Sequence, residues 1–118
     1  MVVDHSVNDP AMRLRQFKGA NLPKSSVEYF VKEGEVPRIH FGTATILPGR
    51  RLPAESYSQH DRQSEISYVI AGGCAFQTDG ESILLEQGDV LHNPRGTKHF
   101  VENPNGKPCV IFWTLVEE

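Results

Sequence analysis

The sequence predicts an all-β barrel or sandwich, and three observations carry that reading. Short runs rich in β-branched and aromatic residues recur from Val27 onward, turn-forming residues separate them, and no stretch has the pattern of a convincing long helix. Many short strands with regular turns bury their apolar faces by packing sheet on sheet or by closing into a barrel.

Residues 1–26 carry polar and turn-forming types with weak periodicity and read as an N-terminal arm ending in a short strand or turn. Residues 27–118 then form the single barrel domain. Its strands are expected at Val27 to Val31, Arg38 to Leu47, Glu65 to Ile70, Cys74 to Thr78, Ser82 to Leu85, Val90 to His92, His99 to Val101 and Cys109 to Val116. The turns between them are marked by Glu33-Gly34, Pro48-Gly49, Gly72-Gly73, Asp79-Gly80, Gln87-Gly88, Pro94 to Gly96 and Pro104 to Gly106. Asp79-Gly80 between two such runs is a strong hairpin signal. Strand alternation places Glu65, Ser67 and Val69 on one face and Ile66, Tyr68 and Ile70 on the other. The second, apolar face is expected to pack against the arm or against another subunit, which makes a twofold homodimer the expected assembly.

At 118 residues the chain can bury one core and no second. A net charge of -3 argues against nucleic acid as a partner, because phosphate binding needs a basic field. The local basic residues Arg13, Arg15, Lys18, Arg50 and Arg51 read as solvated surface. No run approaches the roughly 18 apolar residues of a membrane span, and the start MVVDHSVNDP has no basic-then-apolar signal pattern, so no membrane partner and a cytoplasmic location are expected. Cys74 and Cys109 lack metal-pair spacing and are too few for a disulfide framework, which predicts free buried thiols.

The stretch GDVLHNPRGTKHFVEN, Gly88 to Asn103, is the most informative in the chain. Gly88 and Asp89 make a turn, a short strand follows, and Pro94, Arg95 and Gly96 make a second turn, since proline sets φ for a corner and glycine accepts φ > 0. His99 is thereby fixed at the start of the next strand, and a histidine on so rigid a frame is suited to ligate a metal.

This spacing resembles the second motif of the cupin superfamily, G(X)5PXG(X)2H(X)3N, with Gly88, Pro94, Gly96, His99 and Asn103 at its fixed positions. The first motif, G(X)5HXH(X)3-4E(X)6G, is matched by His60, Glu65 and Gly72, with Ser58 where the first histidine stands and Gly49 as a displaced initial glycine. The resemblance implies a cupin-type double-stranded β-helix, or jelly-roll barrel. It also implies one divalent metal ion, iron, manganese, nickel or zinc, on His60, Glu65 and His99. Two imidazoles and a carboxylate with open positions match the facial set of non-haem iron oxygenases. A neutral serine hydroxyl is a poor ligand, so Ser58 marks a fourth position that water or substrate fills. Ser67, His92, Asn103 and His40 are candidates to line the pocket. A serine nucleophile at Ser58 is disfavoured, since no strand-to-helix elbow presents it.

Small single-domain cupins include dioxygenases, lyases and isomerases acting on small oxygenated molecules, through a metal that binds substrate oxygens. The expectation is therefore a metal-dependent enzyme with a small-molecule ligand. Arg38, Arg50, Arg51, Arg95 and Lys98 would favour a carboxylate substrate if they ring the mouth. The alternative is a non-catalytic small-molecule-binding cupin.

Overall fold

The β-branched and aromatic runs form strands throughout, and no helix occurs among the described residues, so none there is long and apolar enough to cross a membrane. The structure is a computed structural model that describes residues 2–5, 14–17 and 25–118. Two short strands, β1 (Val2–His5) and β2 (Leu14–Phe17), pair antiparallel with each other inside the segment expected to be an arm. The remaining strands are β3 (Ser26–Val36), β4 (Ile39–Ile46), β5 (Arg51–Leu52), β6 (Gln63–Ala71), β7 (Gly73–Thr78), β8 (Ser82–Glu86), β9 (Val90–Asn93), β10 (His99–Glu102) and β11 (Cys109–Glu117). They make a five-stranded sheet, β3-β4-β11-β6-β9, facing a four-stranded sheet, β5-β10-β7-β8, with antiparallel pairing throughout. This is the all-β double-stranded β-helix expected from the motifs.

Register places one face of the five-stranded sheet inward in successive rows. Asn93, Glu65, Leu115 and His40 form one row across β9, β6, β11 and β4. Leu91, Ser67, Trp113, Gly42 and Tyr29 form the next, and Val69, Ile111, Ala44 and Val27 a third. Between the sheets lies an apolar core in which Ile46, Val69, Phe76 and Cys109 are at most 1% exposed, and Trp113 and Leu115 belong to it. Complete burial of each large apolar side chain stabilises the fold by roughly 1.5–3 kcal/mol. The Glu65 row carries the polar side chains Asn93, Glu65 and His40 beside the core residue Leu115, and the site forms at that row.

Two glycines are set by close approach or conformation. A β-carbon at Gly42 would overlap the Glu28 carbonyl oxygen and lie 3.0 Å from Trp113 Cζ2, so only glycine lets β3 and the tryptophan both pack there. Gly96 has φ of 83°, which the second turn of the Gly88 to Asn103 stretch requires.

The structure corrects several boundaries. Glu33-Gly34 is no turn: it lies within β3, where pairing with β4 shifts register between Val31 and Val36 and Gly34 takes φ of 93°. A bulge absorbs the glycine without ending the strand. The chain reverses instead at Pro37-Arg38, with Arg38 at φ of 68°. Strand β5 went unpredicted, because two residues carry no periodicity. The Asp79-Gly80 hairpin joins β7 to β8 as expected.

Ile66, Tyr68 and Ile70 point outward and are 40–43% exposed, opposite to Glu65, Ser67 and Val69. Cys74 and Cys109 are free and buried, on strands of opposing sheets. Their thiols are hydrogen-bonded, which lowers the Cys74 pKa below the ordinary thiol value, while that bond and burial raise the Cys109 pKa far above it.

Candidate metal centre

Three donors from three segments converge at the open end of the barrel. His99 opens β10 in the four-stranded sheet, Glu65 lies on β6 in the five-stranded sheet, and His60 comes from the extended stretch before β6. Backbone bonds bring the two motifs together. Ser58 and His99 exchange both amide bonds in an isolated bridge, at 2.7 and 2.9 Å, and the Gly96 amide donates to the His60 carbonyl at 2.8 Å. Gln59 Nε2 donates to the Gly96 carbonyl at 2.9 Å. The turn that fixes His99 therefore also fixes His60.

His60 Nε2 lies 3.5 Å from Glu65 Oε2, and His99 Nε2 lies 3.5 Å from Glu65 Oε1. One donor atom of each residue lies within 4.8 Å of the others. Bonds of about 2.0–2.1 Å to a common ion put neighbouring ligands roughly 3.0–3.4 Å apart, so small side-chain adjustments suffice to hold a divalent ion. The carboxylate favours the same conclusion. Among the described residues Glu65 forms no ion pair with lysine or arginine, although its side chain is only 12% exposed. A poorly hydrated carboxylate facing two imidazoles is a donor set that a divalent cation satisfies.

The His99 ring is fixed from several directions. Phe76 stacks on it with centroids 4.9 Å apart and planes 15° from parallel. Asn93 Nδ2 lies 3.0 Å and the Thr97 carbonyl oxygen 3.2 Å from Nδ1, which leaves Nε2 turned toward Glu65. Such partners orient metal-binding imidazoles.

The other candidates separate. Ser58 lines the cavity beside His60 and His99. Ser67 is buried on the inner face of β6, one row beyond Glu65. His92 is not a pocket residue: it pairs with Ile66 on the outer face and is exposed. Its neighbour Asn93 takes the inward place because it pairs with Glu65. His40 is buried on the Glu65 row, but β11 intervenes, so the two lie about 10 Å apart at ordinary strand spacing. It packs edge-on to Trp113 at 5.8 Å. Asn103 is a structural clamp, donating to the carbonyls of Ile46 and Lys107 at 2.9 and 2.7 Å and accepting from the Asn105 amide at 2.9 Å. It stands at the other end of β10 from His99, too far to share the pocket.

A cavity of about 380 Å³ is lined by His60 and His99, with Glu65 facing both imidazoles. Its walls include Tyr29, Ala44, Leu52, Val101, Trp113 and Leu115. Tyr29 and Trp113 meet edge to face at 5.3 Å. None of Arg38, Arg50, Arg51, Arg95 and Lys98 lines it. The Arg51 guanidinium lies 3.6 Å over the Phe100 ring and bonds the carbonyls of Pro53 and Ser56, while Arg95 faces Glu118 at 3.7 Å. Asn93, Phe76 and the aromatic wall escaped sequence reasoning; for Asn93 the available signal was its alternation with His92.

The comparisons agree with this architecture. An uncharacterized protein of Methanocaldococcus jannaschii is 27% identical over 92 residues, covering 70% of this chain and 74% of that protein. A Cupin 2 conserved barrel domain protein from Salinispora arenicola superposes with a TM-score of 0.72 at 22% identity, covering 91% of this chain and 90% of that one. A recombinant oxalate oxidase in complex with glycolate gives 0.69 at 20% identity, covering 86% of this chain and 56% of that one. These structural likenesses concern the fold. The family profile described as Cupin domain matches residues 42–115, from within β4 to within β11 and including every donor of the site, and the chain belongs to that family.

Proposed function

We propose that the protein is a mononuclear divalent-metal enzyme of dioxygenase, lyase or isomerase type, acting on a small oxygenated metabolite. The observation that carries this reading is the convergence of His60, Glu65 and His99, with both histidines lining a cavity large enough for a substrate. Iron, manganese, nickel and zinc all suit two imidazoles and a carboxylate. A divalent ion held there supplies Lewis acidity at its open positions.

The chain's own residues divide the remaining work. Phe76 and Asn93 hold the His99 ring so that Nε2 faces the metal position. Ser58 occupies the place of a further imidazole without its donor strength, so that side of the site stays available to a substrate oxygen. The apolar wall formed by Leu52, Val101 and Leu115 excludes water from a bound ligand and strengthens electrostatic interactions inside. The oxalate oxidase among the structural neighbours supports oxidation as one chemistry this fold accommodates.

The proposal extends to assembly and location. The exposed Ile66, Tyr68 and Ile70 support a twofold dimer through the outer face of β6, and two free cysteines suit a reducing cytoplasm. Elemental analysis of protein purified without chelators, followed by oxygen-consumption screening against small carbonyl and carboxylate compounds, tests the enzymatic reading. Stoichiometric metal and turnover support it. Failure to take up iron, manganese, nickel or zinc leaves a non-catalytic binding barrel.

A further inference from the structure

The cavity walls carry information about the ligand that the three donors do not. Among the described residues, the lining includes no lysine or arginine. Its charged-group inventory is therefore the two histidines that line it and the adjacent Glu65. A divalent ion with one carboxylate ligand leaves one net positive charge at the base, enough for a single anionic oxygen. A second negative charge would find no cationic partner among the described lining residues. The nearby cations are held elsewhere: Arg51 is engaged by Phe100 and two carbonyls, and Arg50 lines a separate cavity with Ser25 and Leu47.

The walls are suited to an apolar body. Tyr29 and Trp113 present an edge-to-face aromatic pair on one side, and Leu52, Val101 and Leu115 contribute aliphatic surface. The volume of about 380 Å³ falls at the lower end of the roughly 300–1,000 Å³ typical of small-molecule sites.

We propose that this site takes a small molecule with an aromatic or similarly bulky apolar body and oxygen donors at one end, carrying at most one negative charge. Compact dicarboxylates and phosphorylated sugars would find no cation among the described lining residues and are disfavoured. The inference rests on the metal reading for the oxygen-donor end and on the cavity walls for the apolar end, and the two can be tested apart.

Three 2-oxo acids share one metal-binding head and differ only in the body: benzoylformate carries a phenyl ring, pyruvate a methyl group and 2-oxoglutarate a second carboxylate. Calorimetric titration of the zinc-loaded protein should find benzoylformate at least about tenfold tighter than pyruvate, from burial of the ring. 2-Oxoglutarate should bind no tighter than pyruvate. Val27→Arg places a cation at a half-exposed position on the cavity wall and should raise 2-oxoglutarate affinity about tenfold while leaving metal content unchanged. Equal binding of benzoylformate and pyruvate, or 2-oxoglutarate as tight as benzoylformate in the wild type, overturns the proposal while the metal reading stands. If elemental analysis finds no metal, the metal reading fails alone, and benzyl alcohol titrated into metal-free protein tests the walls. Trp113 is the chain's single tryptophan, so its emission reports the cavity. A saturable change in that emission upholds the apolar site, and no change refutes it.

Discussion

Asn93 approaches the Nδ1 atom of His99 to 3.0 Å, and this contact turns the opposite ring nitrogen toward Glu65. The Thr97 carbonyl, 3.2 Å from the same nitrogen, can only accept, so it favours the tautomer with the proton on Nδ1 and the lone pair on Nε2. The Asn93 amide can present its oxygen to that proton by turning over. Asn93 is accordingly a positioning residue. Asn93→Ala should weaken metal binding about 10- to 100-fold with the fold retained, as measured by competition with a chromogenic chelator. Unchanged affinity would show that Phe76 and Thr97 orient the ring without it.

Gly42 makes room for both β3 and Trp113. Gly42→Ala should destabilise the protein by about 1–3 kcal/mol, because the new methyl group meets backbone that cannot yield cheaply. Urea denaturation reads this directly, and a stability equal to wild type would mean that β3 is free to move away from β4.

Cys74 and Cys109 are 2% and 0% exposed and satisfy each other. Raised as it is, the Cys109 thiol should not ionise in the folded state, and burial should shield Cys74 despite its lowered pKa. Iodoacetamide at neutral pH should therefore modify neither thiol in the native protein and both in denaturant. Rapid alkylation of native Cys74 would reveal frequent opening of the core between the sheets.

Much of the site was legible in the sequence because turn chemistry is local. Pro94 and Gly96 fix a corner regardless of distant partners, so His99 could be placed three residues on. The choice between His92 and Asn93 was not legible. Alternation divides a strand into two faces without saying which is inside, and only the pairing of Glu65 with Asn93 decides it. The aromatic wall was hidden for a similar reason, since Tyr29 and Trp113 meet through Gly42 on an intervening strand. The length of β3 was obscured by Gly34, whose bulge has the composition of a turn.

The outer face of β6 gives a prediction on assembly. Sedimentation at micromolar concentration should report about twice the monomer mass, and Tyr68→Glu should shift the protein to monomer by placing a charge among Ile66, Ile70 and Val90. A wild-type monomer would assign no subunit contact to this face.

Metal content of the wild type beside His99→Ala, each purified without chelators and reloaded with iron, manganese, nickel or zinc, tests the donor set most directly. Wild type should hold one ion per chain, and His99→Ala should lose it while circular dichroism still shows a β-protein, since Ile46, Val69, Cys109 and Ile111 pack the core without the imidazole. Ser58→His should instead tighten the metal by about tenfold or more, equivalent to 1.4 kcal/mol, by adding an imidazole beside His60. Full metal retention in His99→Ala, or a wild type that takes up none of the four ions, would contradict a metal centre built from His60, Glu65 and His99.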